Sequence, residues 1–294
     1  MDELKKLSTK FLKTANADAV AVGVIDFRKK TFDHFEMSDV DKSEIYFDLA
    51  SLTKPLTNSF FAIANKLEDK DLLKLLNHRA GLPVWGLLGQ DWKKQVLNYK
   101  IVDSEVLYSD FSALRFMLEV ERKLTSSYQK EVLKNLSSEI FFWKDLPLEV
   151  YTVQNGFVHG KSNFRNVHDP NALNINEFTS HAGLFGTVKG VCESLIKFNE
   201  NFDFINKVKS EMQNSKDRFV LGFDRVQNME NTLAGKGCSV NTFGHLGFTG
   251  TSFWIDANQM KGHVILTNST KYFWFDKIQL NIFRRAVGER IWES

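Results

Sequence analysis

The sequence predicts an α+β fold in which an antiparallel sheet, flanked by helices from both ends of the chain, carries a mainly helical insert. Three observations lead there. β-rich runs lie near both ends, short helical patterns alternate with Gly- and Asn-rich loops between them, and amphipathic stretches open and close the chain. Strands drawn from both ends pair as one sheet, which puts residues 1–58 and 215–294 in one lobe, 59–214 in a second, and a cleft between them.

Each element has its own warrant. Asp2–Thr14 sets Leu4, Leu7, Phe11 and Leu12 at helical spacing. Ala19–Phe27 is a β-rich run, and Arg28-Lys29-Lys30 turns the chain into a second strand near Thr31–Glu36. From Ser51 to Leu67 the pattern is helical, with Pro55 early enough to be tolerated in a first turn. Ser104–Leu124, Tyr128–Phe142 and Lys189–Asn201 supply the helical patterns of the middle. Strands return at Phe219–Asp224, Gly247–Asp256 and Gly262–Asn268, and a helical run from Asp276 to Trp292 follows.

Composition narrows the function. The 294 residues hold 38 Lys+Arg against 36 Asp+Glu, a formal net charge of +2, so no general drive toward nucleic acid or anionic membrane is present. Twenty-six Phe enlarge the core without naming a chemistry. Cys192 and Cys238 are lone thiols without C-x-x-C spacing or a nearby His pair, so neither a zinc site nor any other metal or cofactor is expected. Met1-Asp2-Glu3-Leu4-Lys5-Lys6 leads into an amphipathic stretch rather than an apolar signal region, and runs such as Ala19–Ile25 are too short to span a bilayer. The expectation is a cytoplasmic protein, or a periplasmic one if the natural start was trimmed.

The chemistry-bearing candidate is Ser51-Leu52-Thr53-Lys54. Residues three apart share a helix face, so the Lys54 ammonium reaches the Ser51 hydroxyl. A free lysine is protonated at neutral pH; to accept the serine proton it must be desolvated or set beside another cation. The spacing alone says little, because Ser127/Lys130 and Ser194/Lys197 repeat it within ordinary amphipathic patterns. Ser51 differs in opening a helix, where side chain and backbone N–H are exposed together. Two further segments accompany it: Tyr108-Ser109-Asp110 before a helical run, and Gly244-His245-Leu246-Gly247-Phe248-Thr249-Gly250-Thr251 entering a strand.

With these segments the chain resembles the serine β-lactamase-like and penicillin-binding proteins, in particular class C β-lactamases and the related peptidase and esterase branch. Phe47–Pro55 is similar to that family's nucleophile segment, Leu75-Leu76-Asn77-His78-Arg79-Ala80-Gly81-Leu82-Pro83 to its LLTHTSGLP-type loop, and Tyr108–Asp110 to its Y-x-N or Y-S-D motif. Gly244–Thr251 resembles the H-T-G variant of its K-T-G strand. Val167–Ala172 and Ser180–Phe185 look like members associated with cell-wall recycling. The resemblance implies a β-lactamase/transpeptidase-like fold and assigns roles. Ser51 is the acylated nucleophile, Lys54 its proton acceptor, Tyr108 the proton shuttle, and His245 a hydrogen-bonding wall of the cleft. The N–H groups of Ser51 and Phe248 form the oxyanion hole, and Asp110, Leu246 and Gly247 contact substrate.

The departures matter too. Leu246 replaces a hydroxyl residue that reads a substrate carboxylate, and Asp110 replaces an amide and adds a charge that raises the Lys54 pKa. Arg79-Ala80 replaces small hydroxyl residues, and the stretch from Lys54 to Leu75 is short for the family. His78, His168 and His181 lie in loops where an imidazole usually ties backbone groups together; His168-Asp169 with His181 lacks the spacing of a metal site. Trp85, Trp92, Trp143 and Trp254 are expected in the core, and Arg284-Arg285 reads as a solvated cluster near a helix C-terminus. The expected function is hydrolysis of an amide or ester bond in a small, cell-wall-derived substrate such as a muropeptide. The rivals are a promiscuous carboxylesterase and a weakened binding or regulatory relative; oligomeric state is left open.

Overall fold

The computed structural model describes residues 1–40, 42, 44–272 and 277–293. In chain order the first strands are β1 (Ala19–Asp26), β2 (Thr31–Ser38), β3 (Phe47–Asp48), β4 (Ile140–Phe142), β5 (Phe157–Val158), β6 (Lys161–Ser162) and β7 (Leu184–Gly186). Then come β8 (Phe219–Val220), β9 (Phe223–Arg225), β10 (Thr242–Leu246), β11 (Ser252–Asp256) and β12 (Lys261–Thr267). An antiparallel seven-stranded sheet runs β2-β1-β12-β11-β10-β9-β8, with β1 paired to β12 from Val20↔Thr267 to Asp26↔Lys261. A small sheet of order β3-β7-β4 lies beside it, and β5-β6 is a separate hairpin.

The large sheet is covered on both faces, which is why β1 reads as an unbroken apolar run. Val20 and Val22 join one apolar cluster with Leu4 and Phe11 of α1 (Asp2–Thr14). Ala19 and Ala21, one pleat over, join another with Val188, Val191 and Leu195. Among the helices that follow are α2 (Phe60–Ala64), α3 (Lys70–Leu76), α4 (Trp92–Leu97), α5 (Asp110–Glu121), α6 (Tyr128–Leu133) and α7 (Pro170–Ile175). The last are α8 (Val188–Phe202), α9 (Phe204–Asn214) and α10 (Ile278–Trp292). Helix α10 lies beside α1, with Phe11 and Phe283 stacked at 4.5 Å. Helix α8 presses on the opposite face so closely that a Cβ at Gly23 would sit 2.4 Å from the Cys192 sulfur. Helices α3 to α6 gather around their own cluster, which includes Leu72, Leu75, Phe111, Phe116 and Tyr128.

The expected α+β architecture is present: an antiparallel sheet with helices from both ends of the sequence on one of its faces. Several elements differ. Residues 104–109 are irregular rather than helical, because Ser104 and Leu107 donate their N–H groups to the Arg79 and His78 carbonyls. The run Tyr128–Phe142 splits into α6 and β4, whose residues pair with β7. Phe219–Asp224 is a hairpin, broken at Leu221 and Gly222 by φ values of +49° and +82°. Gly247–Thr251 is the turn between β10 and β11, so the strand expected from Gly247 begins only at Ser252, and Thr242–Leu246 before the turn is a strand of its own. Helix α10 starts at Ile278; Asp276, where the sequence pattern began it, lies outside the described residues. Among the described residues no helix is long and apolar enough to cross a membrane.

Candidate active site

Asp48 organises the turn that presents Ser51. Its buried carboxylate accepts hydrogen bonds from the N–H of Ala50 (2.8 Å), the N–H of His168 (2.7 Å) and the Asn155 amide (3.0 Å). Burial pushes its pKa up to about 7 against those three donors. Ala50 is held at φ +48°, a conformation that costs a residue with a Cβ, and Ser51 follows it at the start of a helical stretch. That stretch opens as a 3₁₀ turn (Ala50–Leu52) and widens to a π turn (Pro55–Ser59) before α2. Pro55 explains the irregularity, since it has no N–H to return to the Ser51 carbonyl.

Lys54 is buried, and its ammonium has three oxygen acceptors: Ser51 Oγ at 3.0 Å, Asp110 Oδ1 at 2.7 Å and the His181 carbonyl at 3.0 Å. Burial disfavours the charge, but the Asp110 carboxylate and Tyr108 outweigh it and hold the Lys54 pKa above its ordinary value. Tyr108 lies over this group, its ring centroid 5.0 Å from Lys54 Nζ. Burial pushes its phenol up; the Lys54 charge and hydrogen bonds with Lys54 and Ser51 oppose that. The loop from Leu75 to Pro83 fixes this motif: His78 Nδ1 accepts from the Ser109 N–H (3.2 Å), and the Pro83 carbonyl accepts from the Ser109 hydroxyl (2.5 Å). Ser109 in turn caps α5.

The turn after β10 docks on the nucleophile segment. Thr249 and Thr251 donate their hydroxyls to the Asp48 and Leu49 carbonyls at 2.7 and 2.9 Å. Gly247 lies so close that a Cβ there would stand 1.9 Å from Thr251 Oγ1 and 2.8 Å from the Leu49 carbonyl. His245 is buried with its ring 5.8 Å from that of Tyr108. Its Nδ1 lies 2.8 Å from the Leu246 carbonyl, which assigns the proton to that nitrogen and leaves Nε2 a buried lone pair without a partner. Burial and the nearby Lys54 charge pull its pKa down to about 3, so the ring is neutral.

A cavity of about 690 Å³ opens over Ser51, lined by Tyr108, Asp110, Phe248, Trp85, Phe157 and the 168–170 and 181–182 segments, with Ala50 at its base. Ser51, Tyr108, Asp110 and Phe248 thus line one cavity, and Gly247 is in the turn that carries Phe248; Lys54 and His245 are buried behind them, so His245 backs Tyr108 rather than forming a wall of the cleft. Leu246 is not with them. Strand alternation sends its side chain to the other face of the sheet, into the cluster that holds Trp254 and a groove with Arg218 and Asp224. Trp85 is on the cavity rim rather than in the core, while Trp92 and Trp254 are buried. Arg284 is not solvated: it is buried beneath the β10–β11 turn and donates to the Thr251 carbonyl at 2.7 Å. Burial lowers its pKa to about 9.

Two residues of the cavity wall pair in a way the sequence did not indicate. Asp169 caps α7 through the Ala172 N–H (2.8 Å) and bonds His181 Nε2 at 2.9 Å, which ties down the loop whose carbonyl holds Lys54. Their spacing across twelve residues gave no signal beyond the loop histidine itself. The other Ser-x-x-Lys pairs are structural: Ser127 caps α6, and Ser194 is buried in α8, donating to the Gly190 carbonyl. Among the described residues no group of His, Cys, Asp and Glu is arranged to hold a metal ion.

No family model and no curated protein matches the chain. Solved structures do. A class C β-lactamase is 13% identical over 99% of this chain and 97% of its own, with a TM-score of 0.67. A mutant of simvastatin synthase from Aspergillus terreus is 12% identical over 99% and 95%, with a TM-score of 0.65. A β-lactamase from Mycobacterium bovis is 15% identical over 97% of both chains, with a TM-score of 0.59. The chain shares the fold of the serine β-lactamases.

Proposed function

We propose that this chain, built on the serine β-lactamase fold, is a hydrolase that opens an ester or amide bond through an acyl-Ser51 intermediate. The observation that carries the reading is the Ser51 hydroxyl on the wall of an open cavity, hydrogen-bonded to a buried lysine. Ser51 Oγ attacks the substrate carbonyl as its proton leaves toward Lys54. The Ser51 and Phe248 N–H groups receive the oxyanion, a contribution worth about two to three decades of rate per donor. Tyr108 delivers the proton to the leaving group, and water releases the acyl group.

The substrate we assign is a small amide or ester derived from cell-wall peptide. Its support is that the two segments resembling cell-wall-recycling proteins supply His168, Asp169, Pro170, His181 and Ala182 to the cavity. A second reading, carboxylesterase action on apolar esters, is favoured by Trp85, Phe157 and Phe248, which stand 47%, 55% and 46% exposed around the same cavity. Intact-mass analysis after incubation with a fluorophosphonate, a penicillin, p-nitrophenyl acetate and a muramyl peptide tests both. The expected result is an adduct on Ser51 that Ser51→Ala abolishes, with muramyl peptide turned over faster than the simple ester. No adduct with any probe refutes the hydrolase; ester turnover without peptide turnover selects the second reading.

A further inference from the structure

Lys54 cannot take a proton in the state described above. It is an ammonium whose protons face Ser51, Asp110 and the His181 carbonyl, with the Tyr108 hydroxyl hydrogen-bonded to it as well, and toward Ser51 the lysine is the donor. A base for Ser51 therefore has to be made within the site. The shortest of the three contacts, 2.7 Å, is to Asp110 Oδ1, on a carboxylate that also lines the cavity. Resting on the acyl-Ser51 reading, we propose that Asp110 is the terminal proton acceptor of acylation, with Lys54 as the relay between it and Ser51.

The protons balance. One N–H proton of Lys54 passes to Asp110 Oδ1, leaving a neutral amine and a neutral carboxylic acid. The freed nitrogen lone pair takes the hydrogen of Ser51 as Oγ forms its bond to the substrate carbon and the carbonyl π electrons move to the oxyanion. Lys54 ends as it began, an ammonium; Asp110 holds the extra proton and returns it through Lys54 to Tyr108, which has given its own proton to the departing group. The transfer suits a buried pair, because it replaces two opposite charges by two neutral groups while the new charge develops on the oxyanion.

The surroundings leave this task to Asp110. His78 and His245 face Lys54 from the Leu75–Pro83 loop and β10, and burial with the lysine charge keeps both neutral. The His78 ring is occupied by the Ser109 N–H. Asp169 is bonded to His181, and Arg218, on the far side of Tyr108, is paired with Asp224. Tyr108 keeps its proton because burial holds its pKa up, which preserves it for the leaving group.

The test uses a fluorophosphonate, whose fluoride leaves without protonation, so that its rate reports removal of the Ser51 proton alone. Asp110→Asn keeps shape and removes the acceptor. The expected result is a rate at pH 7 lowered by at least about tenfold that recovers as pH rises toward 10 and Lys54 itself becomes neutral, with Asp110→Glu restoring part of the neutral-pH rate. If the carboxylate merely pins the lysine, Asp110→Asn reacts at pH 7 as fast as the unmodified protein or faster, and the proposal fails. A drop equal at all pH values also overturns it. Should the variant not fold, a proton inventory on the unmodified protein decides: two protons in flight bow the plot of rate against deuterium fraction, and a straight line refutes the relay. Absence of any Ser51 adduct in the unmodified protein would instead refute the acyl-serine reading.

Discussion

Asp169→Asn isolates the carboxylate–imidazole contact that steadies the Lys54 loop. The side chain does two jobs, capping α7 through the Ala172 N–H and bonding His181 Nε2. Asparagine keeps the cap, as it ranks with aspartate at that position, and loses the charge. Burial alone would raise the Asp169 pKa, but the His181 ring, helped by the Ala172 N–H and the Lys54 charge, outweighs it and the carboxyl settles at about 2, against an ordinary 3.8. That difference corresponds to roughly 2 kcal/mol. The folded protein holds its proton less tightly than the unfolded chain, so the contribution is complete above about pH 4 and is lost as pH falls toward 2. Urea unfolding at pH 7 is expected to show Asp169→Asn less stable by roughly 2 kcal/mol, shrinking to about half that at pH 3. Asp169→Ala is expected to lose about 1 kcal/mol more, from the cap. A loss below about 0.5 kcal/mol at pH 7, the range of an ordinary surface contact, or one equal at both pH values, refutes the argument.

Three other expectations follow from the same geometry. Burial lowers the pKa of His245 to about 3 and of His263 to about 4, so their NMR imidazole signals stay unchanged from pH 8 to 5. Because the unfolded chain takes up those protons near pH 6.5, stability falls as pH drops below that value; a ring titrating near 6.5 in the folded protein contradicts this. Gly247→Ala forces the Thr251 and Leu49 contacts apart, and loss of fluorophosphonate labelling with destabilisation of about 1–3 kcal/mol is expected. Arg284→Met removes a buried charge along with its bond to the Thr251 carbonyl, terms that offset, so the unfolding free energy should change by less than about 1 kcal/mol. Labelling of Ser51 should nevertheless slow by about tenfold or more as the Phe248 turn loosens, and unchanged labelling would refute that role.

The sequence made legible those features that local rules govern. The spacing of Leu4, Leu7 and Phe11 set α1 within its observed bounds, and the β-rich Ala19–Phe27 run became β1. The Ser51, Tyr108 and His245 segments do converge, although their convergence was readable through resemblance, since nothing in their spacing places them together. What failed depended on three-dimensional context. Leu246 was placed by analogy, whereas the pleat turns alternate residues to opposite faces once β10 begins at Thr242. Arg284 looks like a surface residue in any helical pattern, and only the carbonyls of the β10–β11 turn explain its burial. Residues 104–109 carry a helix-like pattern, yet their N–H groups are drawn to the His78 loop. Asp169 and His181 are ordinary loop residues until α7 and the 180–183 loop are brought side by side.

The sheet order β2-β1-β12 bears on how the protein is made. β1 emerges from the ribosome early, yet one of its two neighbours is built from residues 261–267, so for most of synthesis the run from Ala19 to Ile25 has an open hydrogen-bonding edge and uncovered apolar faces. Closure over so long a stretch of chain is slow compared with local helix formation. A nascent polypeptide halted before β12 would thus display an adhesive strand, so late truncations are expected to aggregate rather than merely lose activity.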